Sequence, residues 1–274
     1  MPESHLHPTP CLLCGGREAV PVAVTPPHLA PDRGERFRFV RCSDCGLVYL
    51  NPRPDPVSLD RYYGPGYLPH REPGAWGRWA PLVERAESAT DRARIRRAYR
   101  ALSRYGPASD GGGRRPGRPG SSGDGWKADP GIRVLDVGCG RPTFLRALQR
   151  ATGWTCVGVD TSDAAWGDEP SEWSGLELRT GGPEDLDPAQ PFDLITLWHV
   201  LEHAYEPRPF LGRLRELTRP GGALVVEVPD HGSLARRLQG ESWIGYDAPR
   251  HGAAYEPETL RRILTETGWD VVDL

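Results

Sequence analysis

Ile132-Arg-Val-Leu-Asp-Val-Gly-Cys-Gly140 decides the fold. A short apolar run that ends in glycines predicts a strand buried on both faces. Gly138 and Gly140 then let the backbone turn and approach a ligand closely. Outward from this stretch, strand and helix patterns alternate. Thr143 to Arg150 has helical spacing, Cys156-Val-Gly-Val-Asp160 is a second strand and Leu176-Glu-Leu-Arg-Thr180 a third. Phe192 to Trp198 is a fourth strand, with Phe210 to Leu217 helical after it. Ala223 to Val228 is a fifth, and Glu258 to Thr267 a helix before a strand-like Trp269 to Leu274. Such alternation predicts an α/β fold, a doubly wound and mostly parallel sheet covered on both faces. Ligands then bind at the carboxyl ends of the strands, where strand order reverses around the first.

The chemistry-bearing residues fall at those ends. Asp136, Gly138 and Gly140 close the first strand, and Asp160 closes the second, 24 residues beyond Asp136. An acid at that place can take both hydroxyls of a ribose. These features fit any nucleoside-containing cofactor, a nicotinamide dinucleotide included. The loop separates the possibilities, because a dinucleotide site uses Gly-x-Gly-x-x-Gly to cradle a pyrophosphate. Gly138-Cys-Gly-Arg-Pro-Thr143 lacks the third glycine.

The front of the chain carries a different device. Cys11-Leu-Leu-Cys14-Gly and Cys42-Ser-Asp-Cys45-Gly are two copies of one turn. A two-residue spacer lets both thiolates of each turn face one metal, and two such turns give a closed four-sulfur site of the kind that holds structural zinc. Arg36 to Arg41 alternates charge and bulk like a half-exposed strand, and Leu47 to Leu50 would pair with it until Asn51-Pro52 ends it. So small a module has little core, and the metal would supply much of its folding energy. A thioredoxin-like redox pair would need one CxxC beside a βαβ unit, which neither pair has.

Between the two parts, Ala86, Ala89, Ala93, Ile95, Ala98, Tyr99 and Leu102 recur at helical spacing over residues 82 to 105. Residues 106–125 hold eight Gly, three Pro and three Ser, with Ala108 the one apolar residue. That stretch predicts a disordered linker, since it cannot bury enough surface to offset its ordering entropy. The domain reading is therefore 1–60 metal module, 61–105 helical connector, 106–130 linker and 131–274 α/β domain. Nine arginines between Arg92 and Arg118 admit a nucleic-acid patch. A solvated helix face leading into a basic linker is favoured over it, because the chain as a whole carries a formal charge of −3.

No apolar run approaches the length of a membrane span, and the N-terminus shows no basic region followed by an apolar one. Four cysteines in two close pairs, with Cys139 and Cys156 in apolar strand contexts, are unlike a secreted disulfide framework. They point to the reducing cytoplasm.

VLDVGCG, VGVD, FDLITLWHVLEH, RPGGALVVEVPD and SWIGYDAPRH with YEPETLRRIL, taken in order, resemble the motifs of class I S-adenosylmethionine-dependent methyltransferases. The branch resembled carries an N-terminal CxxC…CxxC zinc module. It includes deoxysugar C-methyltransferases and is similar in its core to ubiquinone-type O-methyltransferases. The match covers residues 11–60 and 131–274. The resemblance implies that Asp136, Gly138 and Gly140 border the methionine end of S-adenosylmethionine and that Asp160 holds its ribose. It places Glu184 or Asp185 by the adenine, and Trp198 and His199 along the cofactor pocket. It puts His203 and His251 on the side of a small-molecule acceptor as general-base candidates. Trp198 as plain core, His203 as a helix cap and His251 as a loop-ordering residue stand beside these roles.

Three departures from the family pattern bear on this. Pro142 stands where a further glycine is usual. Ala248-Pro-Arg-His251 keeps only the last histidine of the Tyr-His-Glu-His turn of the sugar enzymes. The chain also reaches Leu274 with one strand of the expected C-terminal antiparallel pair. A non-catalytic scaffold on a degenerate methyltransferase fold is the alternative, and the sequence is silent on oligomeric state and on the acceptor.

Overall fold

The computed structural model describes residues 6–27, 34–63, 77–105, 131–167 and 171–274. The linker reading for 106–130 lies outside them. The strands are β1 (Leu6–His7), β2 (Ala19–Thr25), β3 (Phe37–Cys42), β4 (Val48–Leu50), β5 (Arg53–Pro54), β6 (Arg133–Val137), β7 (Thr155–Asp160), β8 (Glu177–Thr180), β9 (Phe192–Trp198), β10 (Thr218–Glu227) and β11 (Ala253–Ala254). The helices are α1 (Pro56–Asp60), α2 (Ala80–Tyr105), α3 (Thr143–Thr152), α4 (Pro207–Leu217), α5 (Leu234–Gln239) and α6 (Pro257–Glu266). Residues 269–274, expected as a strand, form none.

The chain makes two compact units, and they cut across the domain boundaries read from the sequence. One gathers residues 1–67, 199–212 and 227–274, the other 68–198 and 213–226.

In the second unit a five-stranded sheet has the order β10-β9-β6-β7-β8. β6 pairs in parallel with β7 and with β9, and β7 with β8. The strand order reverses at β6, the sheet geometry expected of a doubly wound fold. β6 and β9 are apolar because both faces are covered: Val134, Leu135, Leu194 and Ile195 are fully buried. α2 covers part of this core. Its Ile95, Ala98, Tyr99 and Leu102 are buried among Phe144, Leu145, Leu148 and Trp154. The rings of Tyr99 and Trp154 stack at 6.0 Å. Of the helical series read from the sequence, Ala86 and Ala89 face solvent, and the buried stripe starts only at Asp91. α2 is thus a structural layer of this unit as well as a connector. Leu102→Ala should cost about 3 kcal/mol, the scale of a buried leucine truncation, and urea titration would measure it. A loss under about 0.5 kcal/mol, the scale of a neutral surface substitution, would show that α2 is not part of the core.

In the first unit a four-stranded sheet has the order β11-β4-β3-β2. β3 pairs with β4 as expected, and the pairing is antiparallel. β4 also takes β11, some 200 residues later in the chain (Ala253 opposite Tyr49). Trp243, Tyr246, Ala248 and Ala254 pack with Phe37, Phe39, Val48 and Leu50. The cysteine module therefore has a larger core than its own residues offer, completed by the C-terminal segment.

Candidate functional site

β6 ends in a turn built on two left-handed glycines, Gly138 (φ 66°) and Gly140 (φ 47°). The N–H groups of Gly138 and Cys139 both donate to the carbonyl of Val159, at 2.8 and 3.2 Å. The loop is thereby pinned to the end of β7. Asp160 closes the arrangement: its Oδ2 accepts from the N–H of Gly140 at 2.8 Å. The other oxygen, Oδ1, accepts from the N–H of Ser162 at 3.3 Å. Residues 161–163 are not helical, so Asp160 is not a helix cap.

Asp136 is buried in β6, where Thr196 Oγ donates to its Oδ1 at 2.6 Å. Burial drives its carboxyl up to about 7. Thr196 and Arg94 pull it back, while Asp160 and Asp91 push it further. Around neutral pH this acid therefore titrates. Trp198, at the end of β9, is 8% exposed and meets Phe144 edge-on at 5.3 Å, with the Arg94 guanidinium 5.0 Å over its ring. Pro142 occupies the cap position of α3 with no side-chain capping bond, and α3 still starts at Thr143. Gly182-Pro-Glu-Asp185 forms a single turn after β8. Glu184 and Asp185 are exposed, and Asp185 Oδ2 accepts from the N–H of Gly182 at 3.0 Å.

Asp91 and Arg94 were not singled out in the sequence. Asp91 is buried, its carboxyl bonds the side chain of Thr143, and burial raises its pKa. The available signal was register. Both residues share the helical stripe of Ile95 and Ala98, so the arginine run is not a uniformly solvated face.

The three histidines fall in the first unit. His199 takes the left-handed backbone region (φ 60°), uncommon for a non-glycine residue. Its ring lies between Glu202 (3.4 Å) and Glu227 (3.3 Å). The two carboxylates raise it to about 9 against a smaller opposing effect of desolvation, so this half-exposed ring is a cation at neutral pH and cannot serve as a base there. His203 is the opposite case. Burial, with His251 and Arg250 beside it, lowers its pKa well below the ordinary value, so the ring is neutral. Tyr63 Oη lies 3.0 Å from its Nδ1. The rings of His203 and His251 meet edge to face at 4.5 Å. His251 Nδ1 sits 2.8 Å from the carbonyl of Gly245. A carbonyl only accepts, so this nitrogen carries a proton, and Nε2 is the atom left to exchange one. Glu202, His203 and His251 each bring one ligand-type atom within 4.8 Å of the others. Two histidines and a carboxylate are also a donor set that can hold a divalent cation.

The four cysteines converge as the spacing predicted. Their sulfurs lie within 4.8 Å of one another, Cys11 and Cys45 at 3.4 Å, Cys14 and Cys42 at 3.5 Å. Four sulfurs around one tetrahedral zinc stand about 3.8 Å apart. The N–H of Gly16 points at Cys14 Sγ from 3.4 Å. The donor set and its geometry fit a closed four-sulfur metal site.

A family model described as a methyltransferase domain matches residues 91–274. The chain belongs to that family. It is 32% identical over 157 residues to the ubiquinone biosynthesis O-methyltransferase of Cereibacter sphaeroides, covering 52% of this chain and 62% of that one. The Bradyrhizobium sp. enzyme of the same name is 31% identical over 126 residues, 44% of this chain and 49% of that one. The chain thus spans about half the length of the curated relatives it matches. Among solved structures, Streptomyces venezuelae DesVI aligns at 23% identity and TM-score 0.31, over 35% of this chain and 42% of that one. The cyclopropane synthase MmaA2 of Mycobacterium tuberculosis aligns at 22% and 0.40, over 53% and 57%. The methyltransferase match begins at Asp91, inside α2, which agrees with the packing of that helix on the sheet. Among the described residues no helix is long and apolar enough to cross a membrane.

Proposed function

We propose that the chain is an active methyltransferase that binds S-adenosylmethionine at the carboxyl ends of β6 and β7. The acceptor is an oxygen or carbon of a small molecule. The observation that carries this reading is the closure of the glycine loop by Asp160, beside the buried Asp136. Two glycines and an acid at a strand-order reversal suit a ribose-bearing ligand. Asp136, Gly138 and Gly140 would flank the methionine end, Asp160 the ribose, and Trp198 a wall of the pocket. Glu184 and Asp185 remain the adenine-side assignments.

The bound cofactor would supply an electrophilic methyl group. The residues align donor and acceptor, where most of such catalysis lies. A histidine takes the acceptor's proton, and His203, whose ring is neutral, and His251 at Nε2 are the candidates. The four cysteines would hold zinc, closed to substrate because all four positions are filled by protein.

Asp160→Ala tests the reading. The loss of a charged acceptor for two hydroxyls should weaken S-adenosylhomocysteine binding by at least about 1.5 kcal/mol, more than tenfold. Isothermal calorimetry of wild type and variant measures it. A wild type that binds no S-adenosylhomocysteine, or that prefers a nicotinamide dinucleotide, would replace the reading with that of a non-catalytic scaffold or a different enzyme.

A further inference from the structure

One hydrogen-bonded path in the first unit has no role in the proposed chemistry. It starts at the second cysteine turn, where Arg41 Nη1 donates to the carbonyl of Gly46 at 2.9 Å. Nη2 of the same guanidinium meets Glu256 Oε1 at 2.8 Å. That oxygen also takes Nδ1 of His231 at 2.9 Å, and His231 Nε2 lies 3.1 Å from Tyr246 Oη. His231 is fully buried and Tyr246 almost so. Glu256 is held ionised: the Arg41 guanidinium lowers its pKa first, with His231 adding to it. The polarity of the path is therefore set. A carboxylate accepts, so His231 Nδ1 carries the proton, and its Nε2 accepts from the Tyr246 hydroxyl.

The far end of the path is the loop that sets His251. Tyr246 follows Gly245, whose carbonyl accepts from His251 Nδ1. The Tyr246 ring packs on Phe39 of β3 at 4.7 Å, so ring and hydroxyl both fix this turn. The turn has no space for a side chain at Gly245, where a Cβ would stand 2.3 Å from the Trp243 ring.

We propose that Arg41, Glu256, His231 and Tyr246 are positioning residues that tie the second cysteine turn to His251. They fix the Gly245 carbonyl and thereby keep the basic lone pair of His251 on Nε2. The metal module would then do more than stabilise the fold. It would hold one tautomer of the acceptor-side histidine. A buried, fully paired chain of this kind specifies one arrangement strongly, because each broken link strands a buried polar group. This inference rests on the reading of His251 as the acceptor-side base.

Long-range proton–nitrogen NMR of the full, metal-loaded chain at one pH reads the tautomer directly. In wild type His251 should appear as a single Nδ1–H form. Tyr246→Phe keeps the ring and removes only the hydroxyl, and Arg41→Met cuts the path at the cysteine turn. Both should move His251 toward a mixture of tautomers, with S-adenosylhomocysteine affinity unchanged and methyl transfer down about tenfold in kcat, the scale of one hydrogen bond. Gly245→Ala, which forces the turn to shift, serves as a second perturbation should either variant fold poorly. A wild-type tautomer in Tyr246→Phe would overturn the proposal. A change in Tyr246→Phe and none in Arg41→Met would overturn the link to the cysteine turn. If His251→Asn keeps full methyl transfer while the tautomer still responds to Tyr246→Phe, the path stands and the base assignment fails.

Discussion

Asp136→Asn should make the ligand-free protein more stable at pH 8 and remove the loss of stability that this carboxyl causes between pH 4 and 7. The carboxyl is displaced upward from 3.8 to about 7 by burial. Below pH 4 it is protonated in both folded and unfolded chains and contributes no difference. From pH 4 to 7 the unfolded carboxyl ionises while the folded one stays neutral. The folded state then binds more protons, so stability falls as pH rises, and the full penalty is present above pH 7. At about 1.4 kcal/mol for each unit of displacement the penalty is about 4 kcal/mol. Asparagine keeps the oxygen that accepts from Thr196 Oγ and removes the charge. The same change should weaken S-adenosylmethionine binding, since a cationic sulfonium and ammonium favour an ionised acid nearby. Thermal melts of both proteins from pH 4 to 8 would decide it, and parallel stability curves would show that Asp136 carries no penalty. An acid that costs stability in the empty protein is expected where binding, rather than folding, requires the charge.

The sheet was readable because its signals are local. β6, β7, β8 and β9 were predicted within two residues of their observed ends, each a short apolar run closed by a turn signal. β10 began five residues earlier than predicted, since Thr218-Arg-Pro-Gly-Gly reads as a turn, although proline is tolerated in an edge strand. β2 was missed for a related reason. Pro21 interrupts an alternating Ala-Val-Pro-Val-Ala-Val pattern, and the structure resolves this with an edge strand whose register shifts between Pro21 and Ala23. β11 had no local signal at all. Two alanines become a strand only because β4 is there to receive them.

The site divides the same way. Asp136, Gly138, Gly140 and Asp160 were legible because strand ends place them whatever the rest of the chain does. Distinguishing His199 from His203 was not, because it depends on two carboxylates paired with one ring, and on burial with His251 and Arg250 beside the other. Asp91 and Arg94 were hidden inside an arginine-rich helix, where composition suggested solvent and only the register of Ile95 argued otherwise.

Loss of the metal should reach far beyond the cysteines. The purified chain is expected to hold one zinc, and Cys42→Ser, or a strong chelator, should collapse the β11-β4-β3-β2 sheet. Structural zinc contributes on the order of 10 kcal/mol to such modules, as much as a typical domain's total stability. Cys42 ends β3, and Val48 to Leu50 of β4 follow the same turn, so the turn sets the register on which β11 depends. Phe39 of β3 also supports Tyr246. Hydrogen exchange should therefore speed up at residues 37–50 and equally at 243–255, which include His251 and lie about 200 residues away in sequence. Strand β6, measured in the same sample, serves as the internal reference and should keep its protection, since none of its registered partners belongs to that sheet. A local module would behave otherwise: exchange would rise at residues 11–46 alone, and 243–255 would stay protected. That outcome, or a purified chain free of zinc and iron, would refute the joint core. Joint loss would show that the two ends of the sequence fold as one cooperative unit around the four cysteines.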